Sequence, residues 1–483
     1  MEKHAKFFAR AVITAVALIA VMLGLSDVLR YKNYINETSE FLNFYKLPQN
    51  TVDVLFLGTS HAREAFSPQQ LYDDYGITSY NLASADQPPV LSYYWIKEAL
   101  KTQHPKAVVF DVSMVLSYRG TELPEPNVRK GLDYMHFGLN KMLAIFALDR
   151  RYGGHSQRSY YLPIIRYHSR WKELNESDFL RDEYAAANDK MGYGRTFTDH
   201  SSFKYRPLKI GRTAINKLEV PDEYLEKTAE FCSQNGIKLI LIKTPFPKWT
   251  IEKHASMKRF ADSRACPFYD MNDENIYNAA GINYRADFSD RFGHANVSGA
   301  KKMTAYIGRL LKDEHGLLPH KSEAWEALHS RYVKLEDDDK LGGIDDLGTY
   351  AAALQKNMDH YTILVAVGGD ASSLKSISSL KSLGLKADWK KNTGKSYYAV
   401  IENGSVLREE MSAECLSYTG SFCNGRRIYR IESAGRGAGS ICSVIINGQE
   451  AAAENRYLNI VVFSNERQCV VDSKCFKAKR KKK

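Results

Sequence analysis

A serine stands where a buried strand is expected to turn into a helix. Residues 52–65 read VDVLFLGTSHAREA, an apolar run bounded by Gly58 and followed by a helix-like segment that begins near Ser60. A serine at such a turn holds its hydroxyl at the carboxyl edge of a parallel sheet, where open α/β folds bind ligands and a helix start favours an oxyanion. The pattern predicts either a nucleophilic serine or a serine that only caps the helix.

A second cluster contains the groups that a nucleophilic serine requires. Residues 287–300 read DFSDRFGHANVSGA, with Asp287 and Asp290 shortly before His294 on a glycine-containing loop that precedes an amphipathic helix. A serine hydroxyl needs a base, and an imidazole base needs an acceptor for its other N–H. The alternative is a solvated surface turn. If the serine is catalytic, we expect Ser60 Oγ within about 4 Å of His294 Nε2.

Together these two segments resemble the SGNH/GDSL hydrolase superfamily. Within it, the sequence GTSH followed by DFSD and HANVSGA is similar to a membrane-anchored, single-pass group related to alginate O-acetylation proteins and the D-alanine transfer protein of teichoic acids. The resemblance covers residues 52–315. It implies that Ser60 is the nucleophile, His294 the base and Asp290 the orienting acid, and that the backbone N–H of Ser60 is an oxyanion donor.

The chain departs from the family pattern around the acid. Asp290 and His294 are four positions apart, where the family spacing is three. Asp287 or a backbone carbonyl is therefore an alternative partner for the His294 ring.

The chain also departs from the family pattern in the other oxyanion positions. The segment NLASADQ, residues 81–87, lacks the usual glycine, which leaves the backbone N–H of Ala83 or Ser84 as the candidate second donor. Asp111 stands where the family has an asparagine, and a carboxylate there would repel an oxyanion.

The elements that must position these residues alternate between short apolar strands and helical segments. This alternation predicts an α/β domain in three layers, with a parallel sheet covered on both faces. Residues 113–220 are rich in Tyr, Arg and His, and their apolar residues show no clear helical or strand periodicity. We therefore interpret them as an insertion beside the ligand-binding edge of the sheet. The expected strands are 52–57, 79–83, 107–112 and 237–243, and the expected helices are 90–102, 224–235 and 300–311.

The sequence pattern of the C-terminal part differs from that of the first part and predicts a β-rich α+β domain. Strand-like stretches occur at 361–367, 397–402, 440–447 and 457–463, with a closing hairpin through 465–471 and a helix-like segment near 373–383. Residues 363–386 and 456–476 resemble segments of the interleukin-like EMT inducer, or PANDER-like, domain. The resemblance implies a binding or presentation unit without catalytic groups.

The N-terminus predicts a single membrane anchor. Residues 11–26 form an uncharged apolar run behind Lys3, Lys6 and Arg10, the arrangement of a signal anchor with a cytoplasmic N-terminus and the rest of the chain outside. A cleaved signal peptide is the alternative, but no small-residue cleavage pattern is evident. We therefore expect a single-pass protein of the cell membrane with an extracytoplasmic bulk.

Composition and charge limit the number of domains, the class of protein and its possible partners. The 483 residues exceed one domain, and 44% apolar and 25% charged residues are ordinary for globular proteins. The net charge of +11 lies largely at the two ends, because six of the last seven residues are Lys or Arg, and the body is too close to neutral for a nucleic-acid partner. The expected divisions are an anchor (1–30), a juxtamembrane linker (31–50), the SGNH-like domain (51–316), a helical linker (317–350), the C-terminal domain (351–476) and a basic tail (477–483).

These observations predict an exported serine acyltransferase or esterase of the O-acetyl type that acts on a cell-envelope polysaccharide. By resemblance, a polytopic membrane acyltransferase is expected as a partner that brings the acyl donor across the membrane. No cofactor or metal is expected, since the seven cysteines show no CxxC spacing. The alternative is a non-catalytic, glycan-binding scaffold, in which insertion residues such as Tyr160, Tyr167 and Trp171 would stack on sugars.

Overall fold

The computed structural model describes residues 2–30, 38–116, 123–152, 157–174, 178–179, 203–211, 217–422, 425, 427–465 and 469–477. Most of the basic tail and residues 31–37 of the expected linker lie outside these ranges, as do parts of the insertion. The chain divides into two compact units, Met1–His329 and Ser330–Lys483. The division falls within the segment that the sequence predicts to be a helical linker.

The first unit contains a five-stranded parallel sheet. Its strand order is β2-β1-β3-β4-β5, so the first strand in sequence is an inner strand of the sheet. The predicted α/β class with a parallel sheet is confirmed. The strands are β1 (Val54–Leu57), β2 (Ser79–Asn81), β3 (Ala107–Asp111), β4 (Lys238–Lys243) and β5 (Phe268–Asp270).

Alternate residues of the inner strands enter two separate hydrophobic cores. In β3, Val108 and Phe110 belong to one core and Ala107 and Val109 to the other. Successive side chains of a strand point to opposite faces, so this division places helices on both faces of the sheet. The continuous apolar runs in the sequence are explained by burial on both sides.

Helices of the first unit cover both faces. Several of them start at capping residues, such as Thr59, Asp222 and Asn296, whose side chains accept from backbone N–H groups in the first turn. The helices are α1 (Glu2–Leu29), α2 (Thr38–Phe44), α3 (Ser60–Ala65), α4 (Pro68–Tyr75), α5 (Pro89–Ala99), α6 (Glu125–Leu132), α7 (Leu139–Tyr152), α8 (Gln157–Tyr161), α9 (Ile164–Tyr167), α10 (Glu223–Gln234), α11 (Ile251–Ser263), α12 (Glu274–Ala279), α13 (Tyr284–Asp287), α14 (Val297–Asp313) and α15 (Glu323–Leu341), which extends into the second unit.

The insertion is more regular than its sequence predicts. Its described part forms α6 to α9 and a 3-10 turn at His168–Lys172, and α6 and α7 pack against α5 on one face of the sheet. Tyr160 is buried, and its ring lies 4.4 Å from the guanidinium carbon of Arg129. This residue therefore contributes to an internal contact and not to an exposed sugar-stacking surface.

Helix α1 has the length and composition to cross a membrane. Residues Lys3–Leu29 have a mean hydropathy of 2.4 over their most apolar window, and only 11% of that window is buried by the rest of the protein. At 1.5 Å per residue, a helix of this length spans the hydrocarbon core of a bilayer, which is about 30 Å thick. A single N-terminal helix of this kind agrees with the predicted anchor, while the side of the membrane remains a prediction.

The second unit is built from two antiparallel sheets, which agrees with the β-rich domain predicted from the sequence. One sheet has the order β14-β13-β6-β7-β8 and the other β12-β11-β10-β9. Helix α16 (Leu347–Lys356) accompanies them, and the expected helix near 373–383 is a 3-10 turn at Ile377–Leu383. The strands are β6 (Tyr361–Gly368), β7 (Ser396–Glu402), β8 (Ser405–Ser412), β9 (Leu416–Phe422), β10 (Arg427–Ser433), β11 (Cys442–Ile446), β12 (Gln449–Glu450), β13 (Tyr457–Ser464) and β14 (Cys469–Phe476).

The approach of α14 to the end of α13 depends on one glycine. A Cβ atom at Gly299 would lie 2.1 Å from the backbone oxygen of Asp287, so no larger residue fits unless the backbone moves. We expect Gly299→Ala to lower the free energy of unfolding of the first unit by about 1 to 3 kcal/mol. Urea denaturation measures the change. Gly437→Ala, at a position with no heavy atom within 4 Å of the added Cβ, is the control and should leave stability nearly unchanged.

Candidate active site

Ser60 lies at the carboxyl end of β1, as its sequence context predicts. Gly58 ends the strand with φ +129°, and a Cβ there would lie 2.8 Å from Asp111 Cβ on the neighbouring strand. Thr59 then caps α3, so Ser60 is the first residue of the helix and is not itself the cap. The interpretation of Ser60 as an N-cap is therefore wrong.

Ser60, His294 and Asp290 form a hydrogen-bonded series. Ser60 Oγ lies 2.9 Å from His294 Nε2, well within the 4 Å expected for a catalytic pair. On the other side of the ring, His294 Nδ1 lies 2.7 Å from Asp290 Oδ2. The arrangement allows the imidazole to accept the serine proton while the carboxylate holds its other N–H.

A short, closed loop holds the histidine and the aspartate. The backbone N–H and the hydroxyl of Ser289 both donate to the backbone oxygen of His294, at 2.9 and 3.1 Å. Gly293 has φ +87°, and a Cβ at that position would lie 2.7 Å from the Pro245 oxygen and 2.9 Å from a ring carbon of His61. Glycine at 293 therefore lets the loop approach the end of β4 closely.

Asp287, the alternative acid, makes other contacts. Its fully buried carboxylate accepts from Lys302 Nζ at 2.7 Å, from the Ser298 hydroxyl at 2.8 Å and from the backbone N–H of Asn283 at 2.6 Å. It thus ties α13 to α14 and does not contact the His294 ring. The four-residue spacing between Asp290 and His294 is compatible with a direct hydrogen bond.

The environment of Asp290 favours its charged form. Partial burial alone would raise the pKa of this carboxyl group, but the hydrogen bond and charge of His294 and the backbone N–H groups of Phe292 and His294 outweigh it, and the net pKa is lowered. Phe292 N–H donates to Asp290 Oδ1 at 2.7 Å. An ionised Asp290 stabilises the imidazolium that forms when His294 accepts a proton.

The candidate oxyanion donors differ in their surroundings. Ser60 opens α3, so its backbone N–H has no acceptor within the helix. The Ala83 N–H donates to Asn81 Oδ1 at 3.2 Å, which directs it to a side chain of its own loop. Ser84 is buried beside it, and its hydroxyl donates to Gln87 Oε1 at 3.0 Å. Because the Ala83 N–H already has an acceptor, Ser84 is retained as the candidate second donor.

Asp111 is hydrogen-bonded to the backbone of the segments that follow β3 and β4. Its carboxylate accepts from the backbone N–H of Ser113 at 3.0 Å and of Thr244 at 3.3 Å. The buried Lys243 ammonium is nearby and donates to the Ser113 hydroxyl at 2.9 Å and the Thr244 oxygen at 2.8 Å. Burial lowers the pKa of Lys243, and the charges of Asp111 and Asp270 oppose that shift.

His61 is a site residue that the sequence analysis does not assign. Its ring centroid lies 5.4 Å from that of His294, and its Nδ1 lies 3.3 Å from Thr244 Oγ1. Burial lowers its pKa well below the ordinary value, and the charges of Lys243 and His294 lower it further. The ring is therefore neutral near pH 7. Its position directly after Ser60, within the GTSH motif, is the sequence signal that could have drawn attention to it.

Neither a protein-family model nor a curated protein matches this sequence. The function is therefore argued from the site itself, a serine, a histidine and an aspartate in hydrogen-bonded series at the carboxyl edge of a parallel sheet.

The two aspartates allow a direct test of their different roles. Asp290→Asn should reduce the reaction of Ser60 with a fluorophosphonate probe on the order of a hundredfold or more, at nearly unchanged melting temperature. Asp287→Asn should instead lower the free energy of unfolding by roughly 1.5 to 3 kcal/mol, because it weakens a buried, charged hydrogen-bond cluster. Probe labelling and urea denaturation of both variants distinguish the roles, and the reverse pattern would contradict this assignment.

The lowered pKa of His61 predicts a pH-dependent stability. Between the lowered folded pKa and the unfolded value of about 6.5, the unfolded chain binds more protons, so the free energy of unfolding falls as pH drops below about 6.5. We expect a smaller decrease in His61→Gln than in the wild type when denaturation is compared at about pH 7.5 and about pH 5. The exposed His104→Gln is the control. Equal decreases in His61→Gln and the wild type would show that His61 does not cause the effect.

Proposed function

We propose that this protein is an exported, membrane-anchored serine acyltransferase or esterase of the O-acetyl type that acts on a cell-surface polysaccharide. The observation that carries the proposal is the hydrogen-bonded series of Ser60, His294 and Asp290, with distances of 2.9 and 2.7 Å. A serine that served only as a helix residue would have no need of a histidine and an aspartate aligned in this way.

The reaction would proceed through an acyl-serine. Ser60 Oγ attacks the donor carbonyl while His294 Nε2 takes its proton, and Asp290 stabilises the resulting imidazolium. The Ser60 N–H and a second donor, for which Ser84 is the candidate, bind the oxyanion. His294 returns the proton to the leaving group, and the acyl group then passes to a sugar hydroxyl in a transferase or to water in an esterase.

The wider assignment rests on the sequence motifs together with this site. Residues 52–315 resemble the SGNH/GDSL superfamily, and GTSH with the DFSD and HANVSGA segments is similar to its envelope O-acylation group. The candidate membrane helix is compatible with that group. On the same basis we propose an extracytoplasmic location, a polytopic acyltransferase partner and a C-terminal binding module of the interleukin-like EMT inducer type.

A fluorophosphonate probe tests the chemistry. The wild-type protein in detergent should be labelled, and Ser60→Ala should not, because only a serine with a working base reacts at an appreciable rate. Ser263→Ala, at an exposed helix end, is the control and should be labelled as the wild type is. Absence of wild-type labelling would favour the non-catalytic, glycan-binding alternative.

The substrate class is tested in cells that produce the protein. Acetyl content of the envelope polysaccharide, measured by NMR after extraction, should differ between cells with the wild type and cells with Ser60→Ala. Equal acetyl content, combined with normal probe labelling of the wild type, would retain the serine chemistry and overturn the polysaccharide substrate.

A further inference from the structure

Helix α7 carries an apolar face that the described part of the chain leaves uncovered. Leu139, Met142, Leu143 and Phe146 recur with the spacing of one helix face. Leu139 and Phe146 are 65% and 59% exposed, and Phe137, just before the helix, is 51% exposed. Single exposed apolar residues are ordinary on protein surfaces, whereas a contiguous set of this kind marks an interaction site.

The end of the candidate membrane helix is fixed to the same part of the first unit. Arg30 Nη1 donates to the backbone oxygen of Asp133 at 2.6 Å, and the backbone N–H of Ile164 donates to Ser26 Oγ at 3.1 Å. The buried guanidinium of Arg170 donates to the Leu29 oxygen at 3.1 Å, at the C-terminus of α1. These contacts hold α1 against the insertion.

A cavity of about 430 Å³ separates the end of α1 from the start of α7. Leu23 and Ser26 line one side of it, and Met135 and Phe137 line the other. Because Leu23 belongs to the apolar span, the start of α7 lies at the level where α1 would leave the membrane. The apolar face of α7 is thus continuous with the exposed apolar surface of α1.

The other exposed residues of the insertion fit this position. Trp171 is 64% exposed, and Lys172 Nζ lies 5.6 Å from its ring centroid. Ile165, on the short helix that contacts α1, is also exposed. Tryptophan is enriched at membrane surfaces, and lysine there keeps its charge in the headgroup layer while its stem contacts apolar atoms.

We propose that the insertion forms a second membrane contact, which inserts into the outer part of the bilayer that α1 spans. This membrane-facing surface consists of Phe137, Leu139, Met142, Leu143, Phe146 and Trp171. The occupant is phospholipid, with Lys172 and the exposed Arg166 at the level of anionic headgroups. The first unit therefore lies on the bilayer in a fixed orientation. The proposal does not depend on the chemistry of Ser60.

Photo-crosslinking of the full-length protein in lipid nanodiscs tests this surface. A benzophenone amino acid replaces Leu139 or Phe146, both exposed, in nanodiscs of phosphatidylcholine and phosphatidylglycerol that contain a fluorescent lipid. Leu18 in α1 is the positive control. Arg309, exposed on α14 across the sheet, is the negative control. We expect lipid adducts at 139 and 146 comparable to those at 18, and none above background at 309.

The molecule found in the adduct identifies what covers the membrane-facing surface. Absence of lipid adducts at 139 and 146, with normal labelling at 18, overturns the proposal. Adducts to a second copy of the chain would identify a dimer interface instead, and adducts to residues 180–202, which lie outside the described ranges, would identify an internal cover. Unchanged melting temperatures of the substituted proteins establish that the result reports on the folded state.

Discussion

The hydrogen bond between Ser60 Oγ and His294 Nε2 joins two residues that are 234 positions apart in the chain. It depends on a parallel sheet, because the turn after β1 and the loops that follow later strands meet only at a shared carboxyl edge. Two close backbone approaches bring the groups within reach. Gly58 lets the β1 turn lie against Asp111, and Gly293 lets the histidine loop lie against the end of β4. A side chain at either glycine would increase the distance between Ser60 Oγ and His294 Nε2.

Local sequence predicted the parts of the site that depend on local structure. The strand, the serine turn and the histidine loop follow from apolar runs and loop residues, and their positions agree with the structure to within a few residues. The family resemblance favoured Asp290 over Asp287, but the local sequence could not decide between them, because the role of Asp287 depends on Lys302 on the following helix. The contact of the Ala83 N–H with the Asn81 side chain is an Asx turn, which asparagine favours but which its presence in the sequence does not by itself establish.

The strands of the second unit show that burial also determines which elements the sequence predicts. The sequence predicts β6, β7, β11 and β13, whose apolar residues are mostly buried. It does not predict β8 (SVLREEMS) or β9 (LSYTGSF), in which exposed and partly exposed positions predominate. Both are edge strands, β8 paired with β7 and β9 paired with β10, so they bury few side chains and carry a weak apolar pattern. The helices of the insertion were not predicted for a related reason, since α6, α8 and α9 have only four to eight residues and the helices pack on one another and on α1 and α5.

If the first unit lies on the bilayer as proposed, the docked end of α1 fixes the distance between the candidate active site and the lipid. The Asn140 side chain donates to Glu98 near the end of α5, which places the start of α7 at the amino edge of the sheet, whereas Ser60 lies at the carboxyl edge. Five residues of β3 span about 17 Å at about 3.3 Å per residue, so the two edges of the sheet are separated by about this length. In the orientation proposed above, Ser60 would lie at the edge that faces away from the lipid. A domain joined to its anchor by a flexible linker would instead reach polymer at many distances from the bilayer. With the proposed polysaccharide substrate, a site held at a fixed distance would reach only the polymer chains that extend that far from the bilayer.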